Sequence, residues 1–411
     1  MRIENIRTAI DSGHKRAIAT LVWEKRDRPS QEIFFETTED FAEDLTANPQ
    51  AFLIAGIIPA MRYGESRIAI DAEISPELYK GLTAVMEIFS YWYGEKRKPI
   101  PIEAIVRKRS LTEPKSKRAG LFFSGGVDSL SALRTNRLAF AEEHPRAVKD
   151  GILIYGLLSG ETEPEQSYTK VIEATTKIAV DAGLNLIPVT TNIYSHLQDL
   201  DRDFNFWKFE YQGAALAAVA HALASRFSTV SIASTYNLEH LAPWGSHPLI
   251  DPNYSSSELQ ITHEDLTLSR WAKTKLIADW DMGLQNLRVC SENQSYRQGQ
   301  LNCGKCEKCV RTMTTLIALD KLDRATAFSA SDLSEDLLVK AAYISDLYTL
   351  SCYQDLIEPL KARGRHDLVR GIKRATTSYF ETDLKGLLKR SDRYLFGGNL
   401  LKLSNKFKKS V

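Results

Sequence analysis

An apolar run, a Ser-Gly-Gly turn, an acid and a helical pattern stand together at Leu121–Leu133, LFFSGGVDSLSAL. Gly125 and Gly126 let the backbone turn sharply and approach a ligand closely. The N–H groups of Val127, Asp128 and Ser129 then open a helix, whose macrodipole favours an anion. Ser124 and Ser129 add hydroxyl donors. The stretch reads as a phosphate cradle after a strand. It lacks the lysine of the G-x-x-x-x-G-K-[ST] loop and does not fit G-x-G-x-x-G. An acid inside a phosphate cradle repels the ligand unless a cation stands between them, so Asp128 is expected to act through Mg²⁺.

The segments that follow alternate between strand and helix. AGLFF, DGILIYGLLSG, NLIPVTTN and STVSIAST read as strands. Between them lie helical patterns, among them PEQSYTKVIEATTKIAVDAG, closed by Gly183, and the small-residue-rich FEYQGAALAAVAHALAS. Repeated β–α units with apolar, β-branched strands predict an α/β fold built on a doubly wound parallel sheet. Ligands of such sheets bind at the carboxyl ends of the strands. The glycine turn, Ser159-Gly160, Thr190–Asn192 and Ser234–Asn237 all fall there. Residues 1–115 read as a small α+β accessory domain. Two strands flank the polar turn at Arg26–Ser30, an apolar stretch AFLIAGIIPAMRYG follows, and Ser75-Pro76 start a helix. A basic linker is expected at Arg107–Arg118, a nucleotide-binding domain over 116–318, and a helical, basic region over 319–411.

Charge is uneven along the 411 residues. Lys361–Val411 carries a balance of +10 against −9 for the rest. The basic end KLSNKFKKSV reads as a solvated tail, or as a contact for nucleic acid, an acidic partner or a membrane surface. No run of about 18 apolar residues is present, and the N-terminus lacks the apolar stretch of a secretory signal. A cytoplasmic location and no membrane partner are expected.

Four of the five cysteines, Cys290, Cys303, Cys306 and Cys309, are spaced C-x12-C-x2-C-x2-C. In a chain without an export signal, such a cluster points to metal rather than disulfides. The Cys303-Gly304-Lys305-Cys306 step lets backbone N–H groups face the thiolates. Four cysteines complete a closed tetrahedral shell, so a structural Zn²⁺ is expected. An iron–sulfur cluster is the alternative.

SGG-x-DS between strand and helix resembles the PP-loop of the N-type ATP pyrophosphatases, of the adenine nucleotide alpha hydrolase-like type. Joined to the four-cysteine cluster, it resembles the 7-cyano-7-deazaguanine synthases of the queuosine pathway over Arg118–Leu319. The resemblance implies cleavage of ATP between its α- and β-phosphates, with AMP passed to a carboxylate. Ammonia or another amine, a protein amine included, then displaces the AMP. It implies nucleotide contacts from Ser124, Gly125, Gly126, Val127, Asp128, Ser129, Ser234 and Thr235. Asp128, Ser129 and Lys273 become the catalytic candidates, Lys273 from the run-in LSRWAKTKLIADWDMG. A 7-deazaguanine acid is the implied small-molecule substrate. An operon-encoded protein partner, a homodimer and a role in antiviral defence are compatible with it.

The chain departs from that family between Asn237 and Leu268, where its Asp-Cys-Arg substrate stretch is missing. Here Trp244, His247 and Asp251 stand in a Pro/Gly-bounded loop after the fourth strand. Trp244 can stack a base, His247 bind phosphate or relay a proton, and Asp251 orient a base edge or an amine. The alternative is a loop packed by Trp244, with His240 and His247 exposed. Asp203, Lys208 and Glu210 are weaker pocket candidates. Two other functions stay open, RNA sulfur transfer and a nucleotide-sensing adaptor. The first usually needs a free thiol near the loop, and only Cys352, in the helical region, is left over. A glutamine-fed amidotransferase is disfavoured, because residue 2 is Arg where an N-terminal nucleophile is needed.

Overall fold

The first 107 residues alternate in short half-buried strands around two helices. The strands are β1 (Arg2–Asp11), β2 (His14–Val22), β3 (Gln31–Thr38), β4 (Ile68–Ile74) and β5 (Ile102–Val106). Helix α1 (Pro49–Arg62) is apolar on nearly every face and is buried from Gln50 to Met61. Asn48 caps it by accepting from Gln50 N at 3.0 Å. Helix α2 (Pro76–Tyr93) opens at the expected Ser75-Pro76 pair, with Ser75 Oγ accepting from Leu78 N.

Strand–helix alternation follows, with β6 (Arg118–Phe122), α3 (Val127–Ala139), β7 (Val148–Tyr155), α4 (Glu165–Asp181), β8 (Asn185–Thr191), α5 (Gln212–Ala222), β9 (Phe227–Ala233) and β10 (Gln260–Glu264). Helices α6 (Arg270–Ile277), α7 (Asp281–Gln285) and α8 (Glu307–Ala318) lead into α9 (Glu335–Ala341), α10 (Leu347–Gln354), α11 (Ile357–Ala362) and α12 (His366–Thr382). This computed structural model describes residues 1–107, 118–157, 165–201, 204–290, 300–344 and 346–382. The interior of the expected linker, the Ser159-Gly160 turn, Asp203 and the basic end of the chain lie outside the described residues.

The protein is α/β, with a large, mostly parallel central sheet compatible with a Rossmann-like fold. Its strand order is β10-β9-β6-β7-β8-β3-β2-β1-β4-β5. From β10 to β8 every pairing is parallel. The chain runs outward from β6 through β7 to β8, then returns to the other side of β6 as β9 and β10. The order therefore reverses between β6 and β9, and a crevice opens at their carboxyl ends. Strand β10 arises in the stretch where the sequence shows no strand signal, within SSSELQITHED.

The sheet does not stop where the sequence changes character. Strand β3 pairs antiparallel with β8, with Phe35 opposite Thr191 and Thr37 opposite Val189. One apolar core runs from Met1 through Phe35, Phe52 and Phe89 to Val219, Phe227 and Ile261. Small residues let α5 lie close against α1. Glu210, buried at 3% exposure, is gripped by Arg62 and by both edges of Arg97, at 2.5 and 2.7 Å. Sheet, core and ion pairs thus join residues before and after 116. The helices after 319 share a second core with β6 and α3, from Leu121 and Leu130 to Leu368 and Ile372.

Helix α2 presses on the Asp251–Tyr254 turn so tightly that a Cβ on Gly81 would stand 1.9 Å from the Asn253 carbonyl oxygen. In an open helix Gly→Ala stabilises by about 1 kcal/mol. Here the clash outweighs it, and Gly81→Ala is expected to destabilise by about 1–3 kcal/mol, read as a lowered urea midpoint at unchanged slope. A midpoint that rises would refute this contact.

Candidate functional site

The glycine turn takes the shape its sequence asks for. Gly125 sits at φ 71°, which a side chain resists. Gly126 caps α3 with no side-chain hydrogen bond, so no side chain takes up its first N–H groups. Val127 is buried, Ser124 is exposed, and Ser129 Oγ turns back to the Gly126 carbonyl at 3.0 Å. The Arg288 amide donates to the Gly125 carbonyl at 3.0 Å, so the segment leading to Cys290 braces the turn.

Asp128 is where three elements meet. Arg270 Nη1 lies 3.2 Å from both carboxylate oxygens, and Lys273 Nζ lies 3.3 Å from Oδ1. Lys273 is fully buried and also donates to the Ser234 carbonyl. Burial pushes the Asp128 carboxyl up, but Arg270 and then Lys273 outweigh it and hold it below the usual range. Lys308 on α8, though exposed at its surface, is pushed down by desolvation and then by Arg270 and Arg311. Arg270 and Lys273 thus hold one carboxylate, with Lys308 and the Glu307-paired Arg311 farther along α8. Of these, only Lys273 is singled out in the sequence. Arg270 was within reach, since i and i+3 share a helix face. Protein cations already stand beside Asp128, so the repulsion that called for Mg²⁺ there is relieved without a metal.

Ser234 and Thr235 follow β9 on the other side of the crevice. Ser234 is buried, its N–H donating to Glu264 O and its hydroxyl to Tyr236 O, while Thr235 is exposed. Both line a pocket with Gln212, Tyr236, Trp244, Ser246, His247 and His263. Trp244 donates from Nε1 to Gln212 Oε1 at 3.2 Å and meets Tyr236 and Phe209 edge-on. His247 is buried rather than exposed. Its Nδ1 accepts from Leu249 N, and its ring stands against Trp92 of α2. Burial, then the nearby His263, push its pKa down. Asp251 is fully buried, its Oδ2 holding Ser246 Oγ and His263 Nδ1, each at 2.7 Å. It orients an imidazole rather than lining the pocket. Lys208 is exposed, and Glu210 is spent on its arginines.

The four cysteines come together as expected. Their Sγ atoms all lie within 4.8 Å of one another, with Cys290–Cys306 at 3.9 Å and Cys303–Cys309 at 3.8 Å. A tetrahedron with Zn–S of about 2.3 Å has an edge of about 3.8 Å. Cys303 Sγ accepts from Lys305 N and Cys306 N. The neighbouring Cys290 thiol pushes Cys306 up to about 11 and Cys309 up as well, so the group cannot ionise fully without a cation. It can hold a metal ion and is consistent with Zn²⁺. Fully buried Asn302, which the sequence reading misses, clasps Val289 N and Cys290 N with its oxygen. Its nitrogen donates to Leu287 O and Ala327 O. Cys306 caps α8, so the cluster also sets the start of the helix that carries Lys308 and Arg311.

No helix among the described residues is long and apolar enough to cross a membrane. No family model, curated protein or solved structure matches the chain.

The purified protein is expected to carry one zinc per chain by atomic emission. Cys306→Ser should lose that metal and several kcal/mol of stability, because metal-binding free energy is folding free energy at such sites. Full stability after metal removal would refute a structural role.

Proposed function

We propose that this chain activates a carboxylate by transferring AMP to it from ATP, releases pyrophosphate, and joins the acyl group to ammonia or an amine. The observation that carries this reading is the α3 N-terminus at the sheet's switch point, flanked by Arg270 and Lys273, with Lys308 and Arg311 of α8 close enough to act on the same charges. An amide cradle with surplus cations fits the leaving pyrophosphate. Residues 116–318 are read as a PP-loop domain on this basis, with residues 1–115 as its accessory part. Trp244 offers a face for a flat base, which favours a 7-deazaguanine acid as the substrate.

The residues present do not fit a magnesium ion held by Asp128 alone. Its carboxylate is committed to Arg270 and Lys273, so any metal is assigned to the phosphates of the incoming nucleotide. Asp128 instead keeps Arg270 and Lys273 in place at the cradle. The four-cysteine group fits zinc in a structural role, with Cys290, Cys303, Cys306 and Cys309 as ligands. RNA sulfur transfer is the weaker reading, because burial pushes the Cys352 thiol up and reduces its thiolate. A cytoplasmic setting suits an ATP-consuming reaction.

The test is acid-dependent pyrophosphate release from ATP with 7-carboxy-7-deazaguanine as the acid. Lys273→Ala and Asp128→Ala are each expected to lower the rate by about 100-fold or more. A wild-type rate equal to that of Asp128→Ala would sink the proposal.

A further inference from the structure

His263 is absent from the sequence-level candidates, yet it is arranged like a working base. It stands near the carboxyl end of β10, the strand beside β9, where ligands of such sheets collect. Its side chain is 4% exposed. Nδ1 faces the fully buried Asp251 at 2.7 Å, and the same carboxylate oxygen accepts from Ser246 Oγ. A carboxylate can only accept, so Nδ1 carries a proton, and in the neutral ring Nε2 keeps a lone pair. Nε2 is buried and has no hydrogen-bond partner among the described residues. A buried polar atom left unpaired is costly and calls for a ligand. His263 lines the pocket that also holds Ser234, Thr235 and Trp244.

We infer that His263, oriented by Asp251, takes the proton from the nitrogen that displaces AMP. This rests on the adenylation reading above. Proton accounting selects the step. A carboxylate attacking the α-phosphorus of ATP has no proton to lose, so adenylation needs no base. In the second half an amine nitrogen attacks the acyl carbon, and a C–N bond forms. The C–O bond to AMP breaks, its electron pair leaving on the phosphate oxygen. Ammonium sheds two protons on the way to the amide, one to free its lone pair and one after attack. His263 Nε2 accepts the first, which an uncharged nucleophile does not carry, and the second leaves to solvent. Asp251 stabilises the imidazolium that results. The cationic cradle and the imidazole then divide the work, the first holding the leaving anion and the second facing the nucleophile.

The experiment compares two nucleophiles on the full-length protein with ATP and 7-carboxy-7-deazaguanine at neutral pH. Ammonium chloride supplies a nitrogen that is mostly protonated there. Hydroxylamine is uncharged at that pH and depends far less on a base. His263→Asn keeps an amide nitrogen for Asp251 while removing Nε2. It is expected to lower the ratio of ammonium- to hydroxylamine-derived product by about 100-fold. A ratio unchanged from wild type overturns the inference, whether or not both rates fall together. His263→Gln is read the same way if the asparagine variant melts below the assay temperature. Acid-dependent exchange of labelled pyrophosphate into ATP separates the two claims. Wild-type protein without exchange overturns the adenylation reading and this step with it. Exchange together with an unchanged ratio overturns only the role of His263.

Discussion

A lysine ammonium that is fully buried must be paired, or the fold carries a heavy desolvation cost. Lys273 meets this requirement with two oxygens that are distant in sequence, Asp128 Oδ1 and the Ser234 carbonyl. Those oxygens belong to the segments after β6 and after β9, the two strands that flank the switch point. One side chain from α6 therefore sets the spacing of both lips of the crevice. Arg270, one turn earlier on the same helix, adds a second cation on the same carboxylate. Breaking this knot would free a buried cation, a half-buried anion and two loops at once.

The rest of the architecture keeps that knot rigid. The Arg288 backbone braces Gly125, and Arg288 lies two residues before the first cysteine of the cluster. Asn302 ties the strand of cysteines to Leu287 and Ala327. A metal at the four thiols would fix the start of α8 and, with it, Lys308 and Arg311. On the opposite wall, Trp92 of α2 stands against His247, and α2 packs against the Asp251–Tyr254 turn. The N-terminal third is thus more than an appended module. It extends the sheet past β8 and supports one side of the pocket.

What could be read from sequence was what is local. The Ser-Gly-Gly turn depends on the conformational freedom of Gly125 and on an uncapped helix start, both decided within a few residues. The cysteine spacing is equally local. The antiparallel junction of β3 with β8 could not be read, because the alternation in QEIFFETT tells which face is buried and not which strand lies alongside. The cations around Asp128 come from α6 and α8, more than 140 residues away. Their i, i+3 spacing, Arg270 with Lys273 and Lys308 with Arg311, was the available signal. His263 was hidden by its setting. A polar, Ser-rich approach masks β10, and without that strand the histidine has no reason to face a crevice.

The oddest feature of the sequence, an acid at the start of α3 beside the glycine turn, follows from these same constraints. One carboxylate faces two full cations, so the cradle retains positive charge while no cation is left bare. Arg270 is nearly buried and Lys273 wholly so, and neither could stand unpaired. Under the proposed function, a phosphate would find cations already desolvated and oriented, with little reorganisation left to perform, which is the condition under which electrostatic stabilisation is strongest. A neutral residue in place of Asp128 would leave the cations to repel one another and the lips of the crevice to part. A second basic residue there would deepen the repulsion. The acid is therefore the residue type that lets two buried cations stand together beside this turn.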